Sequence, residues 1–189
     1  MRLAWLVTSL GDLFAASVVA GVIIVWSWLN LNRLIALAFA ICVGATFGLV
    51  TAIKLWTGRH LPQPEHVALW LPSAGAPSGH SAMAAVVYGC AAAIFVKLGR
   101  GPLAATGLLG CLMAIALVCV TRVTLHTHTA ADVAAGLAVA GGFIALFARV
   151  LEVQAQDHAP RIDTLMISML IVALFAVISR VRISSAGIL

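Results

Sequence analysis

Charge is what this sequence has least of. Only 9% of its 189 residues are Asp, Glu, Lys or Arg, against about 25% in soluble domains. With 63% hydrophobic residues and a mean hydropathy of +1.13, a chain of this length cannot hide its apolar surface inside a globule. Lipid must be the solvent, which excludes the soluble enzyme and binding-module classes. Acidic residues number only six, so the net charge is +5. The basic residues are scattered between apolar runs and form no stripe, which excludes a nucleic-acid partner. They suit anionic lipid headgroups or an anionic substrate. Cysteine is sparse as well. Cys42, Cys90, Cys111 and Cys119 all lie in apolar runs without CxxC spacing, so they read as small core residues and select neither a disulfide nor a metal. Internal repeats and low-complexity tracts are absent.

What is there is hydrocarbon in runs. A spanning helix needs about 20 apolar residues, and six candidates appear at about 11–30, 34–54, 80–97, 102–121, 129–149 and 164–181. The expectation is an all-α polytopic bundle of six transmembrane helices forming one domain over 1–189. The N-terminus mimics a signal peptide, but its apolar run is too long for a cleaved one and reads as the first span. Pro102 suits a first helical turn. Trp26, Trp28, Trp56 and Trp70 fall near predicted span ends, where indoles settle at headgroup level. Gly136, Gly141 and Gly142 read as close helix packing, and Met83 and Met113 as packing residues. An even span count puts both termini on one side. With Lys54, Arg59 and Arg122 counted as site residues, five basic residues face three and favour the termini outside; restoring those three reverses the count to six against five.

Against this background one connector is conspicuous. "KLWTGRHLPQPEHVALWLPSAGAPSGH", Lys54 to His80, gathers three histidines and four of the six prolines. A second polar cluster, "TRVTLHTHTAAD", runs from Thr121 to Asp132. Both lie on the same membrane face by the span count, and each ends where a helix begins. Polar residues at a membrane edge are functional candidates by default. Helix N-termini present free N–H groups and a positive dipole end, which bind anions. Ser78 is a natural N-cap and Gly79 allows close backbone approach. Lys54, Arg59 and Arg122 nearby complete a phosphate-sized pocket. His128 and Asp132 are i and i+4, so the carboxylate can hold one ring nitrogen while the other attacks. His80, on another helix, can protonate a leaving oxygen. This is a phosphoryl-transfer site that requires no metal and no cofactor. His60, His66 and Glu65 read as solvated loop residues. His126 reads as lining the pocket or facing headgroups, and Asp12 as facing an interface, a partner helix or Arg2.

These residues resemble the type 2 phosphatidic acid phosphatase (PAP2) superfamily, whose motifs are K-x6-R-P, P-S-G-H and S-R-x5-H-x3-D. "PSGH" at 77–80 is complete. Arg122, His128 and Asp132 keep the third motif's spacing, with Thr121 in place of serine. Lys54 and Pro62 keep the first motif's spacing, but Leu61 stands where the family has arginine. The resemblance implies that His128 is the nucleophile, Asp132 its orienter and His80 the general acid. It implies phosphate contacts from Lys54, Ser78, Gly79 and Arg122. Arg59, two residues before Leu61, has the reach to replace the missing arginine. The short chain without large loops resembles bacterial members, in which the site faces the periplasm from the inner membrane.

Three function classes follow. The first is a lipid-phosphate phosphatase acting on a polyprenyl diphosphate or a glycerophospholipid phosphate. The second is a phosphotransferase on the same scaffold, with a hydroxyl replacing water. The third is a small-solute transporter, disfavoured because ionisable residues cluster at one face and no charged path crosses the membrane. Membrane lipids and the lipid phosphate are the expected partners; no feature selects an oligomeric state. The first-motif departure makes a prediction: Leu61→Arg improves phosphate affinity, read as a lower KM, and unchanged or worse kinetics count against it.

Overall fold

An apolar run long enough to cross lipid must satisfy its own backbone hydrogen bonds, and a helix does this within one segment. The six apolar runs accordingly appear as six helices in chain order. The structure is a computed structural model that describes residues 9–57, 75–154 and 162–185. A short 3-10 turn, Ser9–Gly11, leads into α1, Leu13–Asn30. Then follow α2, Arg33–Thr57, α3, Gly79–Leu98, α4, Gly101–Thr124, α5, Ala130–Gln154, and α6, Ile162–Ser185. No strand occurs among the described residues.

Four of these helices, α2 to α5, are long and apolar enough to cross a membrane. In α1 and α6 the apolar stretches among the described residues are shorter, Phe14–Asn30 and Ile162–Val172. Several helices outrun the expected spans. Helix α2 continues to Thr57 and α4 to Thr124, so Lys54 and Arg122 lie within helical last turns, where a cation faces the negative end of the dipole. Local chemistry sets the starts. Asn32 Oδ1 accepts from the amides of Leu34 at 2.8 Å and Ile35 at 3.0 Å, which caps α2. Pro102 sits in the first turn of α4, where its missing N–H costs nothing.

Helix α3 is the axis of the bundle. Its central window is 72% buried, against 22–33% in α2, α4 and α5. The sequence explains this. "SAMAAVVYGCAAAIF" is small nearly all round, so four helices can approach it closely. Helices α4 and α5 pack along it most extensively, with α2 and α1 on its other flanks. Phe39 of α2 and Phe147 of α5 meet edge to face at 5.7 Å in the core. Large apolar residues such as Leu29, Leu109, Val120 and Leu170 point outward, as lipid allows. Cys42, Cys90 and Cys111 are buried free thiols, as expected of packing residues.

Some placements differ from the expectation. Trp26 is 5% exposed and donates from Nε1 to Thr164 Oγ1 at 2.9 Å, joining α1 to α6. A buried indole needs such a partner, so this residue is an interhelix rivet and not a headgroup anchor. Trp28 and Trp56 do face outward, and Met113 faces outward too. Of the three glycines on α5, Gly141 and Gly142 are open to the surroundings, while Gly136 lies against α3. A Cβ there would meet Ser78 O at 2.6 Å and Ala82 N at 3.3 Å.

That contact is backbone against backbone, so it has little room to relax. Gly136→Ala is expected to destabilise the protein by about 1–3 kcal/mol, the usual cost of overpacking. Gly141→Ala meets no atom within 4 Å and gains helix propensity instead, about 0.5–1 kcal/mol. Thermal unfolding of both variants in detergent checks this. Equal melting temperatures would refute the close approach.

Candidate active site

Five chain segments end at one pole of the bundle: the 3-10 turn, the last turns of α2 and α4, and the first turns of α3 and α5. Each brings a chemically distinct group. The join that holds them is a backbone hydrogen bond from Ser78 N–H to Asp132 C=O, 2.9 Å, beside the Gly136 contact. It ties the start of α3 directly to the start of α5, although 54 residues separate the two in sequence.

Ser78 is fully buried and caps α3. Its hydroxyl accepts from Ser81 N at 3.4 Å and lies 3.0 Å from Ser81 Oγ, and its carbonyl accepts from Ala82 N. Its own amide is taken by Asp132. Ser78 therefore acts here as the mount of the helix start, and the exposed donors of that start are the next two amides, Gly79 and His80, which have no intrahelical acceptor. Lys54 reaches the same place: its Nζ lies 3.9 Å from where a Gly79 Cβ would be. Gly79 thus leaves space between an ammonium and a helix N-terminus, a combination suited to an anion.

The second half is built around Arg122, which is 7% exposed. Its carbonyl accepts three bonds at once, from Thr127 N at 3.2 Å, His128 N at 3.2 Å and Thr127 Oγ1 at 3.0 Å. The chain makes this turn by placing His126 at φ 53°, a left-handed conformation uncommon for a residue with a Cβ. The His126 side chain itself is exposed. Thr121, in the motif's serine position, keeps its hydroxyl on its own helix at Val118 O, 2.8 Å.

His128 then stands over Asp132, with Nδ1 3.6 Å from Oδ2 and side-chain exposures of 8% and 0%. The carboxylate has a second duty that the spacing His-x3-Asp does not reveal. Asp132 Oδ2 accepts from Thr129 N at 2.8 Å, while Thr129 Oγ1 accepts from Asp132 N at 3.2 Å. This is a reciprocal capping box, and T-x-x-D at 129–132 is its sequence signal. The box fixes the carboxylate before His128 needs it. His80, Lys54, Arg122, His128 and Asp132 all lie within electrostatic reach of one another's site.

The structure thus brings together Lys54, Ser78, Gly79, His80, Arg122, His128 and Asp132. Arg59, Leu61, His60, His66 and Glu65 lie outside the described residues. Two neighbours were not read as site residues in the sequence. Gly11 and Asp12, at the entrance to α1, line a cavity of about 180 Å³ together with Lys54, Gly79 and His80. Position and hydropathy could not identify them, because the contact spans nearly 70 residues of chain.

His128 lies between helices, outside the spanning segments. Burial lowers its pKa from 6.5 to about 4; the Arg122 guanidinium and the Lys54 ammonium act in the same direction, and the Asp132 carboxylate opposes them. The ring is therefore neutral at pH 7 with a lone pair available. Between pH 6.5 and about 4 the unfolded chain accepts a proton that folded His128 refuses, so stability falls as pH drops through that window. Histidine NMR in detergent should give His128 a midpoint near 4, rising in Arg122→Gln. A midpoint at the ordinary value, about 6.5, would contradict the burial argument.

Comparison with known proteins gives one match. The family model of the PAP2 superfamily matches residues 33–157, two thirds of the chain and all seven of the groups from Lys54 to Asp132. No curated protein and no solved structure matches.

Proposed function

The chain belongs to the PAP2 superfamily, a family of phosphatases, and we propose that it is a metal-independent lipid-phosphate phosphatase working through a phosphohistidine. Membership and the four long apolar helices make it an integral membrane protein with phosphoric ester hydrolase chemistry. The observation that carries the finer reading is the convergence of a neutral, carboxylate-backed His128, a second histidine, two cations and an open helix N-terminus at one pole of the bundle.

In the proposed reaction, the phosphate sits over the Gly79 and His80 amides, with Lys54 and Arg122 on its oxygens and Arg59 added from the connector. His128 attacks phosphorus through Nε2, with Nδ1–H turned toward Asp132. Nδ1 stands 3.6 Å from the carboxylate, a contact that tightens to a charge-assisted hydrogen bond as positive charge develops on the ring. The bond from phosphorus to the leaving oxygen breaks, and His80, which takes up a proton as the anionic phosphate enters beside it, gives that proton to the oxygen. Water then attacks the phosphohistidine, returning a proton to His80 and releasing phosphate. Cations and amides fixed in advance around the phosphoryl oxygens supply the main stabilisation of the transition state.

The proposal extends to topology. Helices α1 and α6 complete six spans, the site faces the periplasm from a bacterial inner membrane, and the substrate is a polyprenyl diphosphate or a glycerophospholipid phosphate whose tail stays in lipid. The decisive experiment is phosphate release in detergent with EDTA from a panel of lipid phosphates. Wild type should release phosphate, and His128→Ala should lose roughly 10³-fold or more, since its attack is the chemical step. Release that survives in His128→Ala, or that EDTA abolishes, would refute the mechanism.

A further inference from the structure

A general acid must stand at a fixed distance and angle from the oxygen it protonates, and a misplacement of about 1 Å can cost about 10²-fold in rate. His80 occupies an unpromising place for such a duty. It lies in the first turn of α3, directly after Gly79. Helix ends fray, and a glycine gives the chain entering that turn extra freedom. On one side the turn is held by the Ser78 cap and by the Ser78 N–H to Asp132 C=O bond. Those bonds precede His80 in the chain. The His80 peptide itself needs backing from another direction.

The 3-10 turn Ser9–Gly11 supplies it. Gly11 is buried, and a Cβ on it would meet Val118 Cγ1 at 2.7 Å, His80 O at 2.8 Å and His80 C at 3.4 Å. The turn is thus wedged between α3 and α4, with its backbone against the His80 carbonyl. A valine methyl can rotate away, but a main-chain carbonyl cannot move without moving the residue that carries it. A second contact fixes the wedge. Tyr88, about two turns further along α3, donates from its hydroxyl to Leu10 O at 3.4 Å. Tyr88 is buried, and a buried phenol needs such a partner. The phosphoryl-transfer steps use neither Tyr88 nor the turn. Yet Gly11 borders the same cavity as Lys54, Gly79 and His80, so the wedge stands at the site. It comes from residues ahead of the segment matched by the family model, 33–157.

Resting on the phosphatase reading, we infer that Gly11 and Tyr88 are positioning residues for the general acid. The N-terminal turn, held by the Tyr88 hydroxyl, fixes the His80 backbone so that the imidazole meets the leaving oxygen. Gly11 has no side chain to bring to a substrate, so its effect passes through His80. That makes the effect selective. When the phosphorus–oxygen bond of an alkyl phosphate breaks, the electron pair stays on the oxygen, which needs the His80 proton to depart as an alcohol. A nitrophenolate is stable as an anion and departs without that proton. Loss of the wedge therefore slows cleavage of alkyl phosphates and spares aryl phosphates.

The test uses the full chain in detergent. It compares kcat/KM for a long-chain alkyl phosphate with that for a nitrophenyl phosphate bearing the same alkyl tail. This constant covers the steps up to departure of the leaving group, so the second half-reaction, in which His80 acts again, does not enter. Gly11→Ala should lower the alkyl-to-aryl ratio by about tenfold or more. Tyr88→Phe loses only the hydroxyl and should lower the ratio by about threefold or more. In a His80→Ala background, where the acid is already gone, Gly11→Ala should change the ratio no further. A merely structural role lowers both substrates alike. An unchanged ratio in Gly11→Ala therefore overturns the proposal, while the phosphatase reading survives. If Gly11→Ala does not fold, Tyr88→Phe decides, and an unchanged ratio there overturns the proposal in the same way. A ratio untouched by His80→Ala removes the acid role of His80 and this inference with it. Release of phosphate from neither substrate by wild type overturns the phosphatase reading and this one together.

Discussion

One backbone hydrogen bond, Ser78 N–H to Asp132 C=O, sets the geometry of everything at this pole. It joins two helix starts at a distance that only a glycine at 136 permits. Without it, His80 and His128 would ride on separate helices with no fixed relation. With it, His80, the His128 ring and the Asp132 carboxylate belong to one rigid piece. The choice of a main-chain bond matters in lipid. Unsatisfied peptide groups are costly there, so the bond that aligns the site also gives the Ser78 amide, at the start of α3, an acceptor.

The electrostatics follow from that join. Two helix N-termini, one lysine and one arginine converge, and each disfavours the others. The arrangement suits a multiply charged anion, which would relieve the mutual repulsion. Asp132 also moderates it, buried completely yet held by Thr129 N–H and by its place beside His128. Burial, aided by the same cations, keeps His128 neutral. On the proposed mechanism, the nucleophile is thus preserved in a state able to attack by its burial and by the groups that would bind its target.

Much of this was legible in the sequence, and the reason is physical. Lipid demands long apolar runs, so hydropathy located all six helices, and the cost of polar residues at the membrane edge singled out 54–80 and 121–132. Helix ends were less legible, because hydropathy stops at the first polar residue while hydrogen bonding continues; Lys54 and Arg122 sit inside helices for that reason. Trp26 was misread as an interfacial anchor because a sequence cannot tell a lipid-facing indole from one facing a helix with a hydroxyl. Gly141 and Gly142 resemble Gly136 in sequence, yet helical phase turns them away from α3. Ser78 was read as a cap and is one, whereas Asp132 was read for its chemistry alone and also braces the start of the helix that carries it. Gly11 and Asp12 were beyond reach because their place depends on a contact between the chain's N-terminal turn and its third helix.

The division of labour among helices has a consequence for how such a site can change. The acid and the anion-binding amides stand on α3, the most enclosed helix, whose small side chains leave almost no freedom to repack. A substitution there disturbs contacts with four neighbours at once. Asp12 and Phe47 stand on peripheral elements, α1 and the outer face of α2, where side chains meet lipid or the cavity and not the core. The helix that carries His80 therefore has little freedom to vary, whereas the elements that carry Asp12 and Phe47 have more, because fewer neighbours constrain them.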